Sequence, residues 1–209
     1  MSIVELLEDT RPKIEDIKLG FKIPTFGRFG STERYHNHVV GLYGERFIDS
    51  WLHSEKFANL PKLKKPKGLG NLPFSIKKSN FGYLIVNDED ESHISEIDNY
   101  AYYEDISFFV EVKTGFINLN ELILKLKKDT ILHENLFPNF NRMFLIFNEP
   151  EPNIVPSLLN FPIISLDLSA NYFQIRNYLI ESGEMKANLY ESKKKPRYNP
   201  FSELKITFE

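Results

Sequence analysis

The chain has 209 residues, enough for one sizeable domain, and its 42% hydrophobic and 26% charged residues are an ordinary globular composition that excludes wholesale disorder. A formal net charge of −3 excludes a whole-protein basic field, so any polyanion must be met by local patches. The absence of cysteine excludes a disulfide framework, a thiolate zinc site, a cysteine-ligated cluster and a cysteine nucleophile. With no apolar run near the roughly 20 residues of a membrane span and no signal-like start, the expectation is a soluble cytoplasmic protein without a membrane partner.

Residues 2–18 read as a short amphipathic helix on Ile3, Leu6, Leu7 and Ile14, and 19–31 as a Gly-, Pro- and Phe-containing loop. Together 1–31 form an N-terminal appendage to a single domain spanning 1–209. Val39, Leu42, Tyr43, Phe47, Ile48, Trp51 and Leu52 recur at three- and four-residue spacing and predict a helix from Thr32 to about Phe57, with Glu45 and Asp49 one turn apart between them. Residues 61–78 hold three prolines, two glycines and six lysines without an acid, and regular structure is not expected there. A strand at 81–87, an acidic turn, and strands at 92–103 and 106–115 follow. The stretch 118–136 predicts a helix with Leu119, Leu122, Ile123 and Leu126 on one face. Buried strands are expected at 142–148 and 161–169 and a helix at 170–185. The polar tail 191–209 is either mobile or docked as an extra strand. This order predicts an α/β domain with a mixed central β-sheet containing an antiparallel hairpin and flanked by helices.

The segment 108–115, Phe-Phe-Val-Glu-Val-Lys-Thr-Gly, places Glu111 and Lys113 inside an apolar strand, a costly arrangement unless the charges are used or neutralised. A hairpin over 96–113 turning at Glu104-Asp105 makes Asp98 face Glu111 and Glu96 face Lys113, since opposed residue numbers keep a constant sum. One face then carries Glu96, Asp98, Glu111 and Lys113 beside Tyr100 and Phe109. The other carries Ile97, Ala101, Ile106, Phe108, Val110 and Val112, with Asn99 its polar exception, and is the core face. Opposed carboxylates repel, and a divalent cation between them removes the repulsion. Mg²⁺ suits such a site, since it takes oxygen ligands and keeps several waters beside one or two carboxylates. Lys113 would then stand beside a metal-bound water or a phosphate. A solvated hairpin face with a Glu96–Lys113 pair is the bland reading.

Other constellations carry less. His36 and His38 form an H-x-H without a further ligand at zinc spacing. Ser31, Ser54 and Ser107 lie in no nucleophile elbow, and residues 67–71 lack the spacing and ending of a phosphate-binding loop.

Asp98, a short hairpin, and Glu111-Val112-Lys113 on the next strand resemble the signature of the PD-(D/E)XK nuclease superfamily. The helix at 41–52 is similar to the one that often carries a glutamate in these nucleases, and Glu45 is the matching position. The resemblance covers about residues 41–148 and is nearest to the archaeal Holliday-junction resolvase and archaeal-virus nuclease branch. Ile97 stands where the name-giving proline would be, the insertion between Glu45 and Asp98 is long, and no glutamine-bearing motif follows Lys113. The resemblance implies a restriction-endonuclease-like core and an endonuclease hydrolysing DNA phosphodiesters, with a preference for branched DNA. Asp98 and Glu111 would bind Mg²⁺, with Mn²⁺ able to substitute. Lys113 would position the attacking water, and Glu45 would support the site. A homodimer and a cytoplasmic setting such as a virus-infected cell belong to the same implication. Lys62, Lys64, Lys65, Lys67, Lys77 and Lys78 read either as an arm holding nucleic-acid phosphates or as a solvated loop. The alternatives from other classes are a non-catalytic nucleic-acid-binding protein on the same fold with a degenerate site, and an interaction protein with a decorated hairpin.

Overall fold

The computed structural model describes residues 1–20, 29–62, 73–79, 82–114, 118–136, 141–148, 163–167 and 170–188, the stretches 141–148 and 163–167 by their backbone. Helices α1 (Ile3–Asp9), α2 (Thr32–His53), α3 (Leu119–Leu136) and α4 (Tyr172–Glu181) accompany strands β1 (Phe74–Ser79), β2 (Gly82–Asn87), β3 (His93–Ile97), β4 (Asn99–Tyr103), β5 (Ile106–Val112), β6 (Asn141–Asn148) and β7 (Ile163–Asp167). The strands form two sheets. One is antiparallel with order β1-β2-β3; the other has order β4-β5-β6-β7, in which β4 pairs antiparallel with β5 while β5-β6 and β6-β7 are parallel. The expected mixed α/β arrangement is present, but it is split across two sheets.

Helix α2 starts where Ser31 Oγ accepts the Arg34 N–H (3.2 Å), and it ends at Ser54, short of the expected Phe57. At the N-terminus the expected helix over 2–18 is interrupted after Asp9. Pro12 cannot continue a helical ladder, and only a short 3₁₀ turn at Ile14–Asp16 follows. Residues 1–20 do not stand apart. Ile3, Leu7, Ile17 and Leu19 are buried in one core with Val39, Tyr43, Phe47 and Trp51 of α2, Ile175 and Leu179 of α4, and Ala101, Phe108, Val110 and Val112 of the hairpin. Tyr43 Oη donates to the carbonyls of Ile14 and Ile17, tying the N-terminal turn to α2.

A second core lies on the other face of the hairpin. Tyr100 and Phe109 meet Leu122, Leu126 and Leu132 of α3 together with Tyr83, Ile85 and Ile97 of the three-stranded sheet. Both faces of the hairpin are therefore buried, and Ile97 belongs to the face opposite the one expected for it. The segment 92–103, expected as one strand, breaks at Asp98. Residues 93–97 pair with β2 in one sheet and 99–103 pair with β5 in the other. Residues 74–79, inside the stretch expected to be irregular, form the edge strand β1. Its exposed Lys77 and Lys78 suit an edge, where charge discourages pairing with a foreign strand. The tail 191–209 lies outside the described residues.

Candidate active site at the strand break

The hairpin has the register expected of it. Asn99 pairs with Val110, Tyr100 with Phe109 and Tyr103 with Ile106 across the two-residue turn Glu104-Asp105, where Glu104 takes a left-handed φ of 53°. The same register brings Asp98 beside Glu111, but by an unexpected route. Because the chain leaves the sheet at Asp98, its side chain takes over the role of a strand partner. Asp98 Oδ2 accepts the Val112 N–H at 2.5 Å. The break depends on Gly82, whose φ is +117°. A Cβ there would stand 2.7 Å from the Ile97 carbonyl oxygen and 3.3 Å from that of Asp98.

Glu111 is 3% exposed and faces α3. Lys113 Nζ donates to its Oε1 and Lys125 Nζ to its Oε2. Lys125 also stands 3.6 Å from Asp129 Oδ2, and Asp129 Oδ1 accepts the Ser95 hydroxyl at 2.8 Å. This buried ionic chain neutralises Glu111 from two sides, and burial drives that pairing. Glu96, expected opposite Lys113, is instead carried into β3, where it pairs with Leu84 and is exposed; Lys113 bonds Glu111 in its place.

Glu45 approaches from α2. The preceding residue has no side chain because none fits: a Cβ on Gly44 would lie 2.4 Å from Thr114 Cγ2 and 3.2 Å from Val112 Cγ1. That close approach sets Glu45 against the end of β5. Its Oε2 is buried without a hydrogen-bond partner among the described residues. Burial, then the charges of Asp98, Glu96 and Glu111, push its carboxyl up to about 8, with Lys113 opposing. Burial and Glu111 likewise hold Asp98 above the carboxylate range, while Lys125, Lys113 and the Val112 N–H pull the other way. Lys125 loses to burial but gains more from Glu111, Asp98 and Asp129, so its ammonium is held above the ordinary lysine value. A cleft of about 260 Å³ opens beside Glu45 and Asp98, bordered by Arg46, Asp49, Lys78 and Tyr83.

Among the described residues no group of three or more His, Asp or Glu side chains converges to hold a metal ion. The donor set nevertheless fits one. Glu45, Asp98, Glu111 and Asp129 face the ammoniums of Lys113 and Lys125, an excess of two negative charges if all are ionised. Hard oxygen donors with an unpartnered buried carboxylate oxygen are what Mg²⁺ or Mn²⁺ takes, and one or two carboxylates suffice beside water.

The six candidate phosphate-binding lysines divide. Lys78 borders the cleft. Lys62 turns inward, with Nζ on Asp49 Oδ1 (2.7 Å) and on the Tyr83 hydroxyl, so Asp49 is engaged structurally; Asn99 Nδ2 donates to it as well (3.1 Å). Lys77 pairs with exposed Glu91. Lys64, Lys65 and Lys67 lie outside the described residues. Asn99, the polar exception on the hairpin, is buried because Asp49 and His53 both bond it. His36 bonds the Lys186 carbonyl and accepts from Arg176 Nε, and His38 stacks on Phe29, so neither stands ready for zinc.

Lys125 and Asp129 were not found by sequence reasoning. The available signal was Asp129 and His133 on the same helical stripe as Leu122 and Leu126, polar residues at positions that the period assigns to the core. Compared with family models, curated proteins and solved structures, the chain matches none of them.

Proposed function

We propose that this protein is a divalent-cation-dependent nuclease that hydrolyses DNA phosphodiesters with the site plan of the PD-(D/E)XK superfamily. The observation that carries the reading is the meeting of Asp98, Glu111 and Glu45 at the strand break, with an orphaned Glu45 oxygen beside an open cleft. Asp98 and Glu111 would hold Mg²⁺, or Mn²⁺ in its place. Bound there, the cation supplies neutralisation of phosphate charge and a more acidic water. The remaining work falls to the chain's own groups. Lys113, with a side chain 33% exposed, presents an ammonium that can orient a water or a phosphate oxygen while it anchors Glu111. Glu45, whose raised pKa lets it carry a proton near neutral pH, can hand that proton to a leaving oxygen or take one from water. Lys78 at the rim would meet a phosphate without reading bases. A preference for branched DNA and a homodimeric state belong to the same proposal.

The test is cleavage of plasmid, single-stranded and branched DNA with Mg²⁺ or Mn²⁺ by the wild type, Asp98→Asn and Glu111→Gln. Asn at position 98 keeps an acceptor for the Val112 N–H, so the fold survives while cleavage is lost. Wild-type rates in either variant would overturn the assignment. One observation favours a second reading: both Glu111 oxygens are already held by lysines. That suits a nucleic-acid-binding protein with a degenerate site, and cation-independent DNA binding without cleavage by the wild type would establish it.

A further inference from the structure

We propose that Lys125 is an internal stand-in for the divalent cation, a latch that holds Glu111 until the metal arrives and then passes to Asp129. The inference rests on the metal-site reading above and concerns what controls that site. Glu111 is nearly inaccessible and has no spare oxygen: Lys113 takes one and Lys125 the other. A cation entering from the Asp98 side must therefore displace an ammonium from Glu111 or leave it there against strong like-charge repulsion.

Among the described residues, only Lys125 of the two ammoniums has a second carboxylate within 4 Å. Asp129 lies one helical turn along α3 and is already 3.6 Å from Lys125 Nζ, close enough for a small change in the terminal torsions to complete the pair. Asp129 does not come to Lys125, because Ser95 Oγ of β3 pins its other oxygen at 2.8 Å. Asp129 is 2% exposed at its side chain, so an ionised carboxylate there gains from a nearby ammonium. The two positions of Lys125 thus exchange one buried ion pair for another, and the metal replaces the charge removed from Glu111. Without the latch, metal-free Glu111 would face Asp98 with Lys113 alone as counter-charge. With it, the site stays assembled without metal, and metal affinity is lowered by the competition.

Mn²⁺ binding to the full chain by isothermal titration calorimetry tests this without reference to cleavage. Lys125→Met keeps the aliphatic stem and removes the competing charge; it should tighten Mn²⁺ binding about tenfold and lower the melting temperature in EDTA. Lys125→Arg, which keeps the charge, should bind within about twofold of wild type. Asp129→Asn removes the receiving carboxylate and should weaken Mn²⁺ binding about tenfold. Unchanged or weaker binding by Lys125→Met overturns the latch. If that variant does not fold, Asp129→Asn decides: wild-type affinity there overturns the latch too. Absence of Mn²⁺ binding by the wild type itself removes the metal site and the latch with it, a result distinct from a wild type that binds with an affinity that the variants do not alter.

Discussion

On one side of β5, Phe108, Val110 and Val112 meet α2 in an apolar core; on the other, Ser107, Phe109 and Glu111 meet α3. The two faces are equally shut from water, yet the second contains Ser107 bonded to His133 (2.7 Å) and Glu111 held by two lysines. The apolar face needs only shape complementarity and volume. The polar face is tenable only because each buried polar group there has a named partner, drawn from β3, β5 and α3 together. One strand thus separates an apolar face from a face that holds buried charge, and the alternation of side chains along it does the sorting.

The largest expected effect breaks the first face alone. Phe108→Ala should cost about 3–5 kcal/mol in chemical denaturation, the price of a cavity where an aromatic ring was fully buried. Mn²⁺ affinity of the folded fraction should not change; a parallel loss would show that the two faces are not separate. A middle-sized effect sharpens the second face. Glu45 has a folded pKa of about 8, raised from 4.5, so its ionisation opposes folding. In EDTA the wild type should gain stability as pH falls from 8 towards 5, as the folded state takes up the proton first. Glu45→Gln, neutral throughout, should be more stable than wild type by about 2 kcal/mol at pH 8, after discounting for solvent at its partly exposed position, and equal to it near pH 4.5. Equal pH profiles would mean that Glu45 sits in an ordinary polar environment. The smallest effect lies away from both faces. Lys77→Ala breaks only an exposed pair with Glu91 and should shift stability by less than about 0.5 kcal/mol. Its neighbour Lys78 borders the cleft, and Lys78→Ala should flatten the salt dependence of duplex binding by about 0.9 in log–log slope. If Lys77→Ala flattens the slope as much, the contact is not specific to the cleft.

Much of this contrast could be read from the chain. The opposition of Asp98 and Glu111 followed from strand alternation and the position of the turn alone, and the hairpin has that register. The break at Asp98 was not read, although 92–103 held two traces of it: Ile94 and Ile97, three apart, fall on opposite faces of a single strand, and Asn99 is polar on a face otherwise apolar. Strand β1 was hidden by prolines and lysines that mark an edge as well as a loop. Lys125 drew no notice in the sequence because its partner Glu111 is distant along the chain and the packing of α3 on β5 brings them together.

The mixed pairing of the larger sheet also sets an order of events. An antiparallel hairpin with a two-residue turn closes in about 1–10 μs, whereas a parallel pair such as β5-β6 must wait for the whole connection through α3 to be arranged. Topology alone thus predicts that Asp98 meets Glu111 before α3 delivers Lys125. During that interval the nascent hairpin carries two like charges with Lys113 alone to offset them, and protons and cations from the surrounding solution supply the rest. On that order, acidity and dissolved ions are expected to affect how readily this chain reaches its native state.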